Sequence, residues 1–475
     1  MTTLKAPAPV APAPVTMSGG LPVLLAGTFI TTLDFFIVNV AIPALQHDLH
    51  ASPSAIQFIV AGFGIALAAG LITGGRLGDL YGRRRLFATG LVVFTVASAA
   101  CGVAPSAAIL VGARVVQGLG AALLMPQVLA IMNTVYTGER RTKAFSAYGM
   151  ALGLGGVFGQ LIGGVLIKMD VAGLGWRSIF LINIPVGVVA LALTRRSIPE
   201  SRAAGARLDL LGTVLVSLGL VAIVLPLIQG PQQGWPEWTW LCLAASVPLL
   251  AAFVLYQHRL AVRGGSPLID LSLFRRRAFS AGMATNLLYS MTTASFFLIL
   301  ALYLQDGRGL SALESGLVFL PLGVGYFAFA AWSGRIAARL GRQVITVGTV
   351  VAAAGYAVLA ATSLLGASNT VAWVIPGLFV AGAGMGLVMA PLPALVLAGT
   401  DPRHAAAASG VLNTAGQAGN AIGVAVIGAV FYGALAGQSV PSPYAHAFAL
   451  GLSLLAGLCA VVAATVQILP RTAAN

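Results

Sequence analysis

Long apolar runs, separated by short polar stretches, occupy nearly all of the chain after residue 20. A helix needs about 20 apolar residues to cross the hydrocarbon core of a bilayer, and most of these runs reach that length. Fourteen spans are delimited, at approximately residues 21–44, 54–75, 86–104, 107–132, 144–167, 178–194, 210–229, 238–257, 278–304, 315–334, 343–365, 371–397, 405–434 and 444–469. The pattern predicts an all-α polytopic membrane protein with fourteen transmembrane helices.

Composition excludes a soluble protein and points away from an enzyme. Only 8% of the 475 residues are charged and 58% are hydrophobic, whereas soluble domains carry about 25% charged residues. The loops between the spans are too short for a catalytic domain, so function must lie among the helices. The sequence contains no metal-ligand cluster, no nucleophile with its base and no nucleotide motif, so we expect no enzyme, metal or cofactor. Cys101, Cys242 and Cys459 lie in apolar spans and are expected to be free.

Basic residues are distributed unevenly among the loops. When both termini are placed on one side, 22 of the 26 Lys and Arg residues lie on that side and only three in the opposite loops. By the positive-inside rule both termini are then cytoplasmic, and the chain crosses the cell inner membrane many times. The formal net charge of +14 therefore reflects topology, and we expect no nucleic-acid partner.

The chain contains an internal repeat. The motif after span 2 recurs after span 10 at an offset of 259 residues, in the pairs Gly75/Gly334, Arg76/Arg335, Gly82/Gly341 and Arg83/Arg342. Spans 7 and 8 have no counterparts, which predicts a 6 + 2 + 6 plan. Its parts are a disordered tail (1–20), an N-terminal bundle (21–195), two inserted helices (196–260) and a C-terminal bundle with a short tail (261–475). Two parallel six-helix halves are typical of secondary transporters, whose substrate site lies near the midplane.

Asp34 in span 1 is the one acidic residue deep within an apolar span, and Arg114 in span 4 is the one basic residue there. A carboxylate at that depth costs at least about 2.5 kcal/mol, so Asp34 is predicted to be functional and to exchange protons. The two residues lie at similar depths, so the guanidinium can reach the carboxylate and form a neutral pair. Two alternatives remain: Asp34 only ties helices together, or Arg114 snorkels to the external surface.

Two glycine-rich stretches carry further candidates. The loop GGRLGDLYGRRRLF, residues 74–87, is here called the conformational loop, and its candidate residues are Gly75, Arg76, Gly78, Asp79, Gly82 and Arg83. Its arginines anchor the topology, but Asp79 corresponds to Ala338 in the second repeat and is predicted to latch one conformation. Span 5 contains Gly155, Gly159, Gln160, Gly163 and Gly164. These small residues allow close helix contact, and packing alone also explains them.

Polar and aromatic residues on the remaining spans are candidates for a substrate cavity. They are Phe35, Asn39, Gln57, Phe63, Gln117, Met125, Tyr148, Asn286, Tyr289, Asn413 and Gln417. Walls of this kind suit hydrophobic or amphipathic solutes. For each amide the alternative is a hydrogen bond that holds two helices together.

These motifs carry a resemblance that covers nearly the whole chain. The matching stretches are LDFFIVNVAIP (33–43), GGRLGDLYGRRR (74–85), RVVQGLGAALLMP (114–126), WRSIFLINIPVG (176–187) and YLQDGRGLSALESGLVFLP (303–321). The chain resembles the 14-span drug:proton antiporters of the major facilitator superfamily, the EmrB/QacA type. The resemblance implies proton-coupled export by alternating access, with Asp34 and Arg114 as coupling residues and Asp79 and Arg83 acting in the conformational loop.

Two positions depart from the family pattern. Gln160 follows Gly159 where the antiporter motif of span 5 usually has Pro, and Ala61 stands where several relatives carry an acid in span 2. We expect efflux of hydrophobic or amphipathic small molecules such as drugs or antibiotics. A uniporter or symporter of another solute and a non-transporting membrane sensor or scaffold remain the alternatives. The expected partners are a small-molecule substrate, protons and the lipid bilayer, and the chain is expected to function as a monomer.

Overall fold

Each predicted span contains at least one helix in the computed structural model, which describes residues 20–51, 53–202, 209–265, 267–269, 271–365, 371–397, 405–436 and 442–469. We number these helices α1 to α14 to match the spans. Their bounds are α1 Gly20–Ile37, α2 Pro53–Tyr81, α3 Arg83–Gly102, α4 Ala107–Val135, α5 Gly138–Met169, α6 Asn183–Ser197, α7 Leu210–Gln233, α8 Glu237–Val262, α9 Arg277–Leu302, α10 Leu320–Leu340, α11 Gln343–Leu365, α12 Ile375–Met389, α13 Ala405–Ala436 and α14 Pro443–Val466. Within the described residues, thirteen helical segments are long and apolar enough to cross a membrane, and α5 brings the number to the predicted fourteen when its two bent halves are counted as one span.

Some helices are interrupted where the sequence suggested one continuous span. The first span ends as a regular helix at Ile37, continues as a tight turn over Val38–Ala41, and is followed by a short helix, Ile42–Leu49. Pro43 explains the interruption, since it lacks the amide hydrogen that a continuing helix requires. Asp34 consequently lies in the last turn of α1.

Prolines and glycines also distinguish the two repeats. α4 runs through Pro126 without a break, whereas α12 stops at Met389 and a separate short helix, Pro391–Val396, follows. α5 bends by 46° between Gly156 and Leu161. Glycine lowers the resistance of a helix to bending, so the glycine-rich sequence of α5 accounts for its kink.

Helix pairing repeats in the two halves of the molecule. In the first bundle α1 packs on α5 and α6, α4 packs on α2 and α3, and α3 packs on α6. The second bundle repeats each of these pairs among α9 to α14. α7 packs on α2 and α13, one helix from each bundle, and α8 packs on α7. The 6 + 2 + 6 arrangement thus follows the internal repeat of the sequence.

Helices α7 and α8 are held by polar contacts as well as by apolar packing. Ser217 on α7 donates a hydrogen bond to the carbonyl of Ala69 on α2 at 3.0 Å. At the start of α7, the Asp209 side chain accepts from the Gly212 amide at 2.8 Å, and Gln257 of α8 donates to the same carboxylate at 2.5 Å. These bonds join the inserted pair to itself and to the first bundle. The three cysteines are free, as predicted.

Candidate functional site

Asp34 and Arg114 form an ion pair inside the first bundle. Both side chains are fully buried, with 0% exposure, and Nη1 of Arg114 donates to Oδ2 of Asp34. The pair joins α1 to α4 across 80 positions of sequence. In this conformation Arg114 lies in the protein interior and does not snorkel to a membrane surface.

Two amides complete the coordination of the carboxylate. Nε2 of Gln117 donates to Oδ1 of Asp34 at 2.8 Å, and Nδ2 of Asn183 donates to the same oxygen at 2.9 Å. Both amides also lie within hydrogen-bond distance of the Ser98 hydroxyl, at 2.6 and 3.1 Å. We call these five residues, Asp34, Ser98, Arg114, Gln117 and Asn183, the Asp34 network. It joins α1, α3, α4 and α6.

The guanidinium of Arg114 is held in place from several sides. Nε donates to the Ile59 carbonyl at 3.1 Å, and Nη1 also donates to Oε1 of Gln117 at 2.7 Å. The rings of Phe63 and Phe180 lie 4.6 and 5.7 Å from its central carbon. Aromatic faces attract cations and exclude water. Nη2 has no hydrogen-bond partner within the described part of the chain, so one donor is free for another acceptor.

The charge states of Asp34 and Arg114 depend on each other, because the two side chains are buried together. With Asp34 ionised, the pair is neutral and the carboxylate is satisfied by three donors. Protonation of Asp34 removes the counter-charge of a fully buried guanidinium, which is unfavourable by several kcal/mol. Arg114 would then need another acceptor or access to water.

Two members of the network were not singled out from the sequence. Asn183 lies in the stretch WRSIFLINIPVG, which carried part of the family resemblance, and an amide within such an apolar run is a usable signal. Ser98 offers no such signal, because serine is common in membrane helices. Gln117 was predicted to line the substrate cavity, but the structure places it in this network with 0% exposure.

The glycines of α5 face α1 beside Asp34. A methyl group at Gly155 would lie 2.8 Å from the backbone nitrogen of Leu33, and one at Gly163 would lie 2.7 Å from the Ile37 side chain. Gly159 lies between them, with the same face against α1. The predicted close contact is therefore present, and it is made with the turns that carry Asp34. The side chain of Gln160 lies outside the described residues.

Most of the conformational loop is helical in the structure. α2 extends to Tyr81 and α3 begins at Arg83, so only Gly82 lies between the two helices. Gly82 has φ +107°, a backbone conformation that favours glycine. Arg83, directly after Gly82, forms a buried ion pair of 2.8 Å with Asp79, three residues before that glycine. Arg76 is also buried, with 5% exposure. A charge that only sets the membrane topology can remain exposed at the membrane surface, whereas these three charged side chains are buried.

Gln127 on α4 contacts the same loop and was missed in the sequence. Its Nε2 donates to the Gly74 carbonyl at 2.8 Å. Any side chain at Gly78 would collide with it, since a Cβ there would lie 1.9 Å from Oε1 of Gln127. Gly78 is therefore required by this contact between α2 and α4.

The two bundles contact each other near the face that carries the loops after α2, α4, α6, α8, α10 and α12, here called the arginine-rich face. Nη2 of Arg141 on α5 donates to the Ala394 carbonyl at 3.1 Å. Deeper in the protein, the Tyr326 hydroxyl of α10 donates to the Gly149 carbonyl of α5. A Cβ at Gly410 of α13 would lie 2.7 Å from the Leu71 carbonyl of α2. The molecule is closed at these positions.

The other predicted cavity residues are dispersed over both bundles. Fully or nearly fully buried aromatic side chains are Phe63, Tyr148 and Tyr289. Partly buried apolar ones are Phe35 and Met125. Several amides bond to protein groups. Asn286 donates to the Leu412 carbonyl at 2.8 Å, Asn413 donates to the Ser409 carbonyl at 3.0 Å, and Gln417 accepts from Asn420 at 2.9 Å. The side chains of Asn39 and Gln57 lie outside the described residues. Contact of this set with substrate stays a prediction.

Comparisons with known proteins agree with this architecture. The sequence profile described as Major Facilitator Superfamily matches residues 24–424. The chain is 39% identical to the probable actinorhodin transporter of Streptomyces coelicolor over 89% of this chain and 74% of that protein. It is 34% identical to the tetracenomycin C resistance and export protein of Streptomyces glaucescens, over 90% and 78% of the two chains. Identity to the cephamycin export protein of Amycolatopsis lactamdurans is also 34%, over 94% and 91%.

Solved structures share the fold at low sequence identity. The human organic anion transporter MFSD10 superposes with a TM-score of 0.67 at 15% identity, over 94% of this chain and 99% of that one. The proton:xylose symporter XylE superposes with a TM-score of 0.63 at 15% identity, over 92% and 93%. Since the repeated helix pairing, the profile match over most of the chain and the identities to these relatives all agree, the protein belongs to the major facilitator superfamily.

Proposed function

We propose that this protein exports hydrophobic or amphipathic small molecules, antibiotics among them, in exchange for protons. The observation that carries the proposal is the Asp34 network, a titratable carboxylate paired with arginine in a fully buried part of the first bundle. Intramembrane carboxylates mark proton pathways in transporters. The relatives named as exporters and resistance proteins support the substrate class.

Coupling follows from the charge balance of the buried pair. Ionised Asp34 on α1 pairs with Arg114 on α4 and so ties the two helices together, while the glycines of α5 allow α1 to pack closely against α5. Protonation releases Arg114 from its counter-ion, and helices that depend on the pair change their packing. The contacts between the bundles at the arginine-rich face then separate, and substrate enters from that side. Release of the proton reverses the change.

Membrane orientation completes the proposal. The arginine-rich face lies in the cytoplasm by the positive-inside rule, with both termini on that side. The protein then resides in the cell inner membrane and works as a monomer, because each six-helix half contributes to one central pathway. Asp34 serves proton coupling, while Asp79 and Arg83 stabilise the state that is closed towards the cytoplasm.

The test is export from a pump-deficient host across a panel of toxic compounds. Expression of the wild-type chain should lower susceptibility to some lipophilic compounds, and collapse of the proton gradient should abolish the effect. In everted vesicles that contain the wild-type protein, addition of such a compound should release protons. Vesicles that contain the Asp34→Asn variant should release none. Export that persists without a proton gradient would indicate a uniporter and would refute the coupling.

A further inference from the structure

A groove of about 610 Å³ lies between the first turns of α3 and the last turn of α6, at the arginine-rich face. That volume is in the range of small-molecule sites, about 300–1,000 Å³. Its lining consists of Arg84, Arg85, Ala88, Thr89, Thr194 and Arg195. The groove is remote from the Asp34 network, and neither proton coupling nor substrate export uses its side chains.

The groove carries an excess of positive charge. Arg84 is partly buried and is held by a bond from Nη1 to the Ile198 carbonyl at 3.3 Å, while Arg85 and Arg195 are exposed. The nearest acid is Glu200, whose carboxylate lies 3.7 Å from Nε of Arg84 and from Nε of Arg85. Those distances exceed a normal hydrogen bond of about 2.7–3.2 Å. Three arginines against one carboxylate leave the groove with a net charge of +2.

Apolar surface continues from the groove along the membrane. On α3 the residues Arg85, Thr89, Val92 and Val96 share one face, because they are spaced by three or four positions. Val92 is 41% and Val96 is 64% exposed. On α6 the same spacing places Val188, which is 54% exposed, below Arg195. An occupant would therefore meet arginines at one end and hydrocarbon-facing side chains at the other.

The second repeat shows that this charge is not a requirement of the helix junction. At the offset of 259 residues, Arg84 and Arg85 correspond to Gln343 and Val344 at the start of α11. There Gln343 donates to Gln467 at 2.9 Å, and Gln467 donates to Thr346 at 3.0 Å. The equivalent junction between α11 and the end of α14 is thus closed by these neutral amides together with Arg342, which donates to the Leu469 carbonyl. The second copy therefore lacks the two charges that Arg84 and Arg85 add to the first.

We propose that the groove binds the phosphate headgroup of an anionic phospholipid, with its acyl chains along α3 and α6. Basic pockets between membrane helices on the cytoplasmic side suit such headgroups, and arginine binds phosphate through paired hydrogen bonds. Arg84 and Arg85 belong to the conformational loop, so the bound lipid contacts that loop directly. The Arg83 amide donates to the Ser201 carbonyl at 2.8 Å, and the Arg84 amide donates to Glu200 at 3.1 Å. A headgroup held by Arg84 of α3 and Arg195 of α6 would bridge the two elements that these bonds already join.

The test uses purified full-length protein in neutral detergent and native mass spectrometry with titrated phosphatidylglycerol. Arg84→Gln, Arg85→Gln and Arg195→Gln are combined in one variant. The matched control combines Arg259→Gln, Arg263→Gln and Arg339→Gln, which removes the same charge from exposed positions elsewhere. We expect the groove variant to bind phosphatidylglycerol about tenfold more weakly than wild type, and the control to bind it like wild type.

Three results would overturn the proposal. Equal weakening in the control would show that overall charge explains the binding. Equal binding of phosphatidylcholine with the same chains would show that apolar contact explains it, and competition by free glycerol phosphate at similar concentration would show that the groove is a site for soluble anions. Should the triple variant fail to fold because the bond from Arg84 to the Ile198 carbonyl is lost, the double variant Arg85→Gln/Arg195→Gln serves instead. Unchanged phosphatidylglycerol binding in that folded double variant would likewise refute the proposal.

Discussion

Removing the charge of Asp34 tests whether the buried arginine depends on it. In Asp34→Asn the amide preserves the size of the side chain but cannot neutralise Arg114, whose remaining acceptors are the carbonyl oxygens of Gln117 and Ile59. Loss of one partner from a fully buried ion pair costs about 3–5 kcal/mol. We expect this loss in the free energy of unfolding, measured in mixed detergent micelles, with the protein still inserted and folded.

The double variant Asp34→Asn/Arg114→Gln is the decisive comparison, because it removes both charges. Its stability should return to within about 1–2 kcal/mol of wild type, since a neutral pair carries no uncompensated charge. Proton release on addition of substrate should be absent from the single and the double variant alike, because neither can titrate at position 34. A single variant as stable as wild type, or a double variant no more stable than the single, would refute the electrostatic dependence of Arg114 on Asp34.

Four further predictions follow from the same structure. Arg114→Lys should slow transport by about tenfold despite its retained charge, because the ammonium cannot reproduce the bonds of the planar guanidinium. Transport assays in vesicles measure the rate, and a rate equal to that of wild type would contradict the prediction. Gly155→Ala should destabilise the protein by about 1–3 kcal/mol through collision with the α1 backbone, whereas Gly156→Ala, whose Cβ would have ordinary contacts, should have little effect in the same unfolding assay. Asp79→Ala should impair transport more than Arg339→Ala, since the first removes a buried ion pair and the second an exposed charge. Equal effects in susceptibility tests would show that the charges of the conformational loop serve only to set the membrane topology. Neutral or monocationic lipophilic compounds should be exported better than matched rigid dications, because a single deep carboxylate leaves the second charge uncompensated, and efficient dication export at clamped membrane potential would refute this.

Several features of the site were accessible from sequence because they depend on single positions. Asp34 and Arg114 stand out as charges within apolar spans, and charged groups are costly there whatever surrounds them. Asp79 stands out because its counterpart in the second repeat is Ala338. The glycines of α5 indicated close helix contact, although their partner helix was not evident. Each of these signals can be read at one position or from one comparison along the chain.

The number of helices, the internal repeat and the clustering of most arginines in alternate loops can all be read from the sequence. Those properties are set by hydropathy over some twenty residues and by loop charge, both of which are local. Helix packing, in contrast, sets which residues surround the Asp34–Arg114 pair. Gln117, Asn183 and Ser98 complete that network, and Gln127 contacts the conformational loop at Gly74. The bonds to Asp34 join residues 80 to 149 positions apart. Which helix faces meet depends on packing between spans that are distant in sequence. All of these faces are apolar enough to contact lipid, so hydropathy alone does not show which of them contact another helix.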